Sequence, residues 1–328
     1  MSRSALKPPL VSILINNYNY ENFLPTAIDS ALNQTYSNVE VVVVDDGSTD
    51  RSRQLINQYG DRIISVFKKN GGQASALNAG FAASKGEIIC LLDADDIFLP
   101  EKASQVVAIF QSDSDIDWVF TESAPVETSD ILPNKLEDLF ASIRSQSSVE
   151  NLGKINFSKS ILKGKLPDFT PSTSNLCFSH KLLGTLFPLP EIKGLSGVAI
   201  SDLYIKILAV GLGTGYVSKE NLGIYRFHNN YYKNLDLSKK RRMFGEINTT
   251  TGYWISKNFP EFRAISQKIL GKGFATYLSS TYTTQQVADA DCQAMLDDYL
   301  SSSSIFDRLK TTLIIFYYRI RLKFKNFV

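Results

Sequence analysis

Asp93, Asp95 and Asp96 follow the apolar run Ile88-Ile89-Cys90-Leu91-Leu92, and a second acidic pair, Asp45-Asp46, closes the β-branched run Val39 to Val44. An unpaired carboxylate entering a core is heavily penalised, so these acids must meet water, hydrogen-bond donors or a cation. In an open parallel sheet both strand tips lie on the same ligand-binding edge. Two acidic tips on one edge imply a metal and a polar, phosphorylated ligand. Asp45-Asp46-Gly47-Ser48 taken alone is equally ordinary turn and capping chemistry, and the surrounding pattern has to decide between the two.

The elements that must position these acids are legible from periodicity. Leu10 to Ile15 reads as a buried strand, followed by polar Asn16-Asn17-Tyr18-Asn19 and by Phe23, Leu24, Ala27, Ile28, Ala31 and Leu32 at helical spacing. Val39 to Val44 is a second strand, with Leu55, Ile56 and Tyr59 marking the next helix. Ile63 to Phe67 is a third strand, broken by Asn70-Gly71-Gly72. Ala74, Leu77, Asn78, Phe81 and Ala82 form another helical stripe, Gly86 stops it, and Ile88 to Leu92 is the fourth strand. This order predicts a mainly parallel sheet with right-handed crossovers and helices on both faces.

Past Pro100, a helix carrying Val106, Val107, Ile109 and Phe110 leads to a short strand at Asp117-Trp118-Val119-Phe120. Thr128 to Pro171 mixes polar residues and prolines with short apolar clusters, as expected of a variable insert or flexible loops rather than a second core. Ser174 to Phe178, a helix-like Lys181 to Phe187 and a helix from Ser201 to Val210 restore the pattern, with Gly211, Gly213 and Gly215 closing the last. Tyr225-Arg226-Phe227-His228 reads as a strand or a loop entry, and residues after about Leu235 read as largely helical.

The 328 residues, 44% of them hydrophobic, suffice for one large domain or two smaller ones. A net charge of +2, from 35 basic and 33 acidic residues, gives no global field for nucleic acid. Cys90, Cys177 and Cys292 lack any C-x-x-C spacing and read as reduced, buried thiols, which points to a cytoplasmic setting. No apolar stretch approaches the roughly 18 to 20 residues of a membrane span.

Four stretches together resemble glycosyltransferase family 2 with its GT-A fold: Val11 to Asn19, Asp45 to Asp50, Asn70-Gly71-Gly72 with Asn78-Ala79-Gly80, and Asp93-Ala94-Asp95-Asp96. The resemblance is strong over Pro9 to Leu99 and weaker over Pro171 to His228. It implies a GT-A domain over 1–230, with a nucleotide-sugar donor part at 9–125 and an acceptor part at 126–230. A helical C-terminal extension over 231–328 would follow.

The resemblance also implies roles. Tyr18 would stack on the nucleobase, Asp46 would accept from the base ring N–H, and Asp45 would lie beside it. Asp93 would approach ribose or sugar, and Asp95 would ligate Mg²⁺ or Mn²⁺ bridging the donor diphosphate. His228 would reach the metal or the diphosphate, with Arg226 offsetting phosphate charge; a surface-loop histidine is the alternative. Asn70, Gly71, Gly72 and Asn78 would contact the donor, Gly71 and Gly72 through backbone N–H groups. Ser172 and Asn175 would border the acceptor. Asp96 supports the site or caps the next turn. Two positions depart from the family pattern, Leu77 where an Arg commonly stands and Asn16 where many relatives carry Pro.

Transfer with inversion needs a base for the acceptor hydroxyl, and Asp202 occupies the downstream acidic position; helix capping is its competing role. His180 reads as structural. The expected activity is an inverting, nonprocessive, metal-dependent transfer from a nucleotide-diphosphate sugar, a UDP-sugar, to a glycan or lipid-linked acceptor in polysaccharide biosynthesis. Processive relatives would add membrane helices and a Gln-x-x-Arg-Trp motif. The rival enzyme class, a sugar-nucleotide-forming nucleotidyltransferase, would carry a Gly-rich basic loop after the first strand, where this chain has Asn16-Asn17-Tyr18-Asn19. A noncatalytic nucleotide-sugar-binding protein is the nonenzymatic alternative, and the missing G-x-G-x-x-G argues against a dinucleotide dehydrogenase. Finally, Ile305 to Val328 mixes Leu309, Leu313, Ile314, Ile315, Phe316, Tyr317 and Tyr318 with Lys310, Arg319, Arg321, Lys323 and Lys325. That composition fits either an interfacial helix on the inner face of the cytoplasmic membrane or a core-packing helix with a basic outer face.

Overall fold

The computed structural model describes residues 7–146, 152–168, 171–192, 200–228, 235–280 and 291–324. Strands β1 (Val11–Asn17), β2 (Val39–Asp45), β3 (Ile64–Phe67) and β4 (Ile88–Asp93) pair in parallel in the order β3-β2-β1-β4. Helices α1 (Leu24–Leu32), α2 (Ser52–Gln58) and α3 (Gln73–Ala83) connect them. Val11 to Ile15 and Ile88 to Leu92 are buried throughout, which explains their near-continuous apolar composition. Register is the feature that builds the site: Asn16 pairs with Asp93 and Asn17 with Asp45, so the acidic tips align on one edge.

The chain continues through β5 (Ile97–Phe98), α4 (Lys102–Ser112), β6 (Ile116–Glu127) and α5 (Leu136–Gln146). It then forms β7 (Gly153–Ile155), α6 (Ser158–Leu162), β8 (Leu176–Ser179), α7 (His180–Leu186), α8 (Ser201–Leu212) and β9 (Thr214–Phe227). Strand β8 runs antiparallel between β4 and β6, and β9 lies parallel to β6 while pairing antiparallel with β5 and β7. This is an α/β architecture, a mostly parallel sheet flanked by helices. Cys90 lies opposite Cys177 across the β4–β8 pair, two buried free thiols that spacing alone does not bring together.

The described residues between Thr128 and Pro171 hold more regular structure than their composition predicts. In α5, Leu136, Leu139, Phe140 and Ile143 recur at helical spacing and pack with Ile97, Leu99, Ile131 and Ile224 into a small apolar cluster. The strand starting at Ile116 also runs on to Glu127, because β9 accompanies it to Phe227.

Among the described residues four more α-helices follow: α9 (Leu237–Asn258), α10 (Arg263–Tyr277), α11 (Cys292–Ser301) and α12 (Ile305–Phe324). Ile255 of α9 and Ile265 and Ile269 of α10 belong to the same apolar cluster as Ile205 and Leu208 of α8 and Trp118 of β6. The core thus crosses the expected boundary at residues 230 and 231. No described helix is long and apolar enough to cross a membrane.

Candidate active site

Two loops are laced together at the tips of β1 and β2. Asn17 Nδ2 donates to Asp45 Oδ1 at 3.0 Å and to Ser48 Oγ at 3.1 Å, and the Thr49 N–H donates to Asn19 Oδ1 at 2.7 Å. Gly47 makes the turn between them at φ +78°, where a side chain would also meet the Asn70 backbone. Tyr18 stands on this edge with 45% of its surface exposed, leaving an aromatic face open.

Asp46 is buried and heavily engaged. Its carboxylate accepts from Lys68 Nζ at 2.6 Å, from the Gly71 N–H at 3.0 Å and from the Gly72 N–H at 2.7 Å. The glycine N–H groups expected to face phosphate therefore face a protein carboxylate, and Asp46 anchors the loop that contains exposed Asn70. Lys68 is a partner the sequence reading missed; the only local signal was the basic pair Lys68-Lys69 before Asn70-Gly71-Gly72. Asn78 also has other partners than expected. Its Nδ2 donates to the Leu189 carbonyl at 2.9 Å and to Glu191 at 3.0 Å, and its Oδ1 accepts from the Leu189 N–H at 2.7 Å. Leu77 is fully buried in the main core, so this helix face is apolar where a basic residue is common.

The acids at the end of β4 and just beyond it divide by environment. Asp93 Oδ1 accepts from Gln73 Nε2 at 3.3 Å. Burial, then the charges of Asp95, Asp96 and Asp202, push Asp93 well above the usual carboxylate range, opposed by a hydrogen bond from Asn16. Asp96 is buried, accepting from Ser174 Oγ at 2.6 Å and from the Arg226 N–H at 3.1 Å. Burial and then Asp95 push Asp96 up to about 7. Its role is thus a clamp between β9 and the 172–175 turn. Ser174 completes a bridge, because its Oγ also accepts from the Asp93 N–H at 3.1 Å.

Asp95 meets His228. Their Oδ2 and Nε2 atoms lie 2.8 Å apart, and the imidazole packs 4.8 Å from the Phe23 ring centroid. Arg226 donates from Nε to the Asp95 carbonyl at 2.8 Å and sits over Phe23, while its Nη2 is buried without a hydrogen-bond partner. Among the described residues no three His, Cys, Asp or Glu side chains form a complete metal cage. One carboxylate and one imidazole are nevertheless a donor set that suits a cation completing its shell with phosphate and water.

Asp202 lies in the first turn of α8, where Ile200 is the N-cap and no side chain caps the helix. It instead accepts from Lys206 Nζ at 3.1 Å, and Lys206 also donates to the Pro171 carbonyl at 3.1 Å. The capping role is therefore not the one observed. The acceptor-loop residues are turned inward: Asn175 Oδ1 accepts from Thr121 and Ser123, and its Nδ2 donates to Ser172 Oγ. Buried Lys102 donates to Thr121 at the base of this network. His180 is structural, with Nδ1 3.0 Å from the Gly86 carbonyl and its ring against Phe81.

A parallel donor-type half-sheet, an acidic edge and an antiparallel continuation define the GT-A class of folds. Residues 12–179 match the sequence model of glycosyl transferase family 2, and the chain belongs to that family. An uncharacterized glycosyltransferase of Nostoc sp. is 36% identical over 222 residues, which cover 66% of this chain and 65% of that protein. Chondroitin synthase of Pasteurella multocida is 41% identical over 121 residues, 36% of this chain and 12% of the synthase. The chain thus matches less than two thirds of the length of these curated relatives. The crystal structure of S. aureus TarS 1-349 in complex with UDP-GlcNAc shares the fold, with a TM-score of 0.58 at 16% identity over 96% of this chain and 91% of that one.

Proposed function

We propose that the protein transfers a sugar, with inversion, from a nucleotide-diphosphate donor of the UDP-sugar type to a glycan or lipid-linked acceptor in polysaccharide biosynthesis. One observation carries this reading: Asp93, Asp95, Asp202 and His228, drawn from three separate stretches of chain, are coupled at one sheet edge by charge and hydrogen bonding. A relative that is a chondroitin synthase and a structural neighbour that binds UDP-GlcNAc support the substrate class.

Tyr18 stacks on the base, beside the Asp45–Asn17 pair. Asp46 holds the 68–72 loop and meets the base N–H only by sharing its present donors. Asp95 and His228 would hold Mn²⁺ or Mg²⁺, which would supply a Lewis acid to offset the charge of the departing diphosphate. Asp93 faces ribose or sugar. Asp202 takes the acceptor proton as the acceptor oxygen bonds to the anomeric carbon and the diphosphate leaves with the electron pair of the broken bond. Lys206 orients Asp202 for that step. Ser172 and Asn175 shape the acceptor side through their neighbours.

A panel of nucleotide sugars screened by thermal shift, with and without Mn²⁺, tests the donor site. We expect one donor to stabilise the protein in a metal-dependent way, and Asp95→Ala to abolish that dependence; equal stabilisation of both proteins rejects Asp95 as a ligand. Product analysis separates the rival classes. Sugar attached to a glycan with release of nucleoside diphosphate supports transfer, pyrophosphate formed from a nucleoside triphosphate and a sugar phosphate indicates a nucleotidyltransferase, and binding without turnover indicates a noncatalytic module.

A further inference from the structure

Helix α12 docks by one face and leaves the opposite face bare. On the docked side Thr311 and Leu322 are buried, Gln267 Nε2 donates to Thr311 Oγ1 and to the Asp307 carbonyl at 3.0 Å each, and Arg263 pairs with Asp307. On the bare side stand Phe306, Leu309, Leu313, Phe316, Tyr317 and Ile320, with Phe306 84% and Leu313 67% exposed. Their spacing places them in one continuous stripe along the helix. An isolated exposed apolar residue is unremarkable, whereas a contiguous apolar stripe of this length marks an interaction surface.

Charge identifies what the stripe meets. Exposed Lys310 and Arg321 border it on one side, and exposed Arg308, Arg319 and Lys323 on the other. The one acid among the described residues of this helix, Asp307, is already paired with Arg263. Positions 306, 309, 313, 316 and 320 also have the three-four spacing of a coiled-coil seam, so a second copy is the rival occupant. Pairing two such helices would bring cations against cations along both flanks, with no acid to relieve them. Beneath α12 the field is positive as well: burial, then Lys268 and Arg321, hold Lys272 below its ordinary value. An anionic, apolar-cored surface answers both features at once.

We infer that α12 is an interfacial anchor that lays its apolar stripe into an anionic lipid surface, with the flanking cations at headgroup level. This surface stands on its own geometry and holds whether or not the donor site works as proposed. A lipid-linked acceptor would be brought within reach by such docking.

Cosedimentation of the full chain with phosphatidylcholine–phosphatidylglycerol vesicles and with phosphatidylcholine vesicles tests the inference. The wild type should pellet with the anionic vesicles and be released by high salt. The triple variant F306S/L313S/F316S removes only exposed side chains, so its unfolding transition should match the wild type while its binding is lost. The variant R308Q/K310Q/R319Q/R321Q/K323Q should bind on the order of 10³-fold more weakly, since each of the five cations near an anionic surface contributes a factor of about five. Failure of the wild type to pellet, equal pelleting on phosphatidylcholine alone, or undiminished binding by the triple variant overturns the proposal. So does a vesicle-free dimer in analytical ultracentrifugation that the triple variant abolishes, because the second copy would then own the stripe.

Discussion

Asp93, Asp96 and Asp202 are three carboxylates in one small space, and the structure treats each differently. Asp202 is held by Lys206 alone among the described side-chain hydrogen bonds, and under the proposed mechanism it is the carboxylate that takes the acceptor proton. Asp202→Asn should lower kcat by roughly 10² to 10⁴, the range for loss of a general base. The donor-induced thermal shift should survive, and unchanged turnover would remove Asp202 from the chemistry. Asp96 leads to a prediction about stability. Its folded value of about 7 lies above the roughly 3.9 of an unfolded aspartate, so the folded chain keeps a proton that the unfolded chain releases. That contribution is complete below about pH 4 and is lost as pH rises toward about 7, on the order of a few kcal/mol. Asp93 shifts in the same direction, so Asp96→Asn should flatten the fall rather than abolish it. Urea unfolding of metal-free protein across that range measures the slope, and an unaltered slope in the variant contradicts the assignment.

At the scale of elements, the site depends on loops that fold onto one another more than on the strands that present them. Asp46 satisfies two backbone N–H groups and the Lys68 ammonium, so it organises the 68–72 loop from the end of β2. Replacing it by Asn puts an amide donor against at least one donor N–H and leaves Lys68 without its carboxylate. We expect Asp46→Asn to cost roughly 2 to 4 kcal/mol, within the range for breaking a partly buried, charge-assisted network. Denaturant melts measure the loss, and a neutral variant would show that the loop holds itself. The succession of strands and helices and the acidic edge were legible because β1 and β4 are buried along their length and end abruptly in polar residues. Helix α5 was missed: Leu136, Leu139, Phe140 and Ile143 keep helical spacing, but the polar composition around them hid it. Asn78 was not legible as a bracket for Leu189, 111 residues away, nor Ser174 as a bridge between Asp93 and Asp96. Those roles come from tertiary placement, which local periodicity does not encode.

For the molecule as a whole, the open matter is whether the C-terminal helices form a separate unit. Helices α9 and α10 approach so closely that a side chain at Gly252 would lie 2.5 Å from the Leu270 backbone nitrogen. The same pair supplies Ile255, Ile265 and Ile269 to the cluster that also holds α8, the helix bearing Asp202. Separating α9 from α10 should therefore loosen the support of Asp202 as well as the extension. We expect Gly252→Leu to lower the melting temperature in a single cooperative transition, with transferase activity falling over the same temperatures. Agreement between calorimetric and van't Hoff enthalpies is the criterion for that single transition. Two transitions, with only the lower one sensitive to the substitution and donor binding retained between them, would instead make residues 231–328 an independent domain. The shared core predicts the first outcome, because close-packed interiors leave little room for one side of a common cluster to melt without the other.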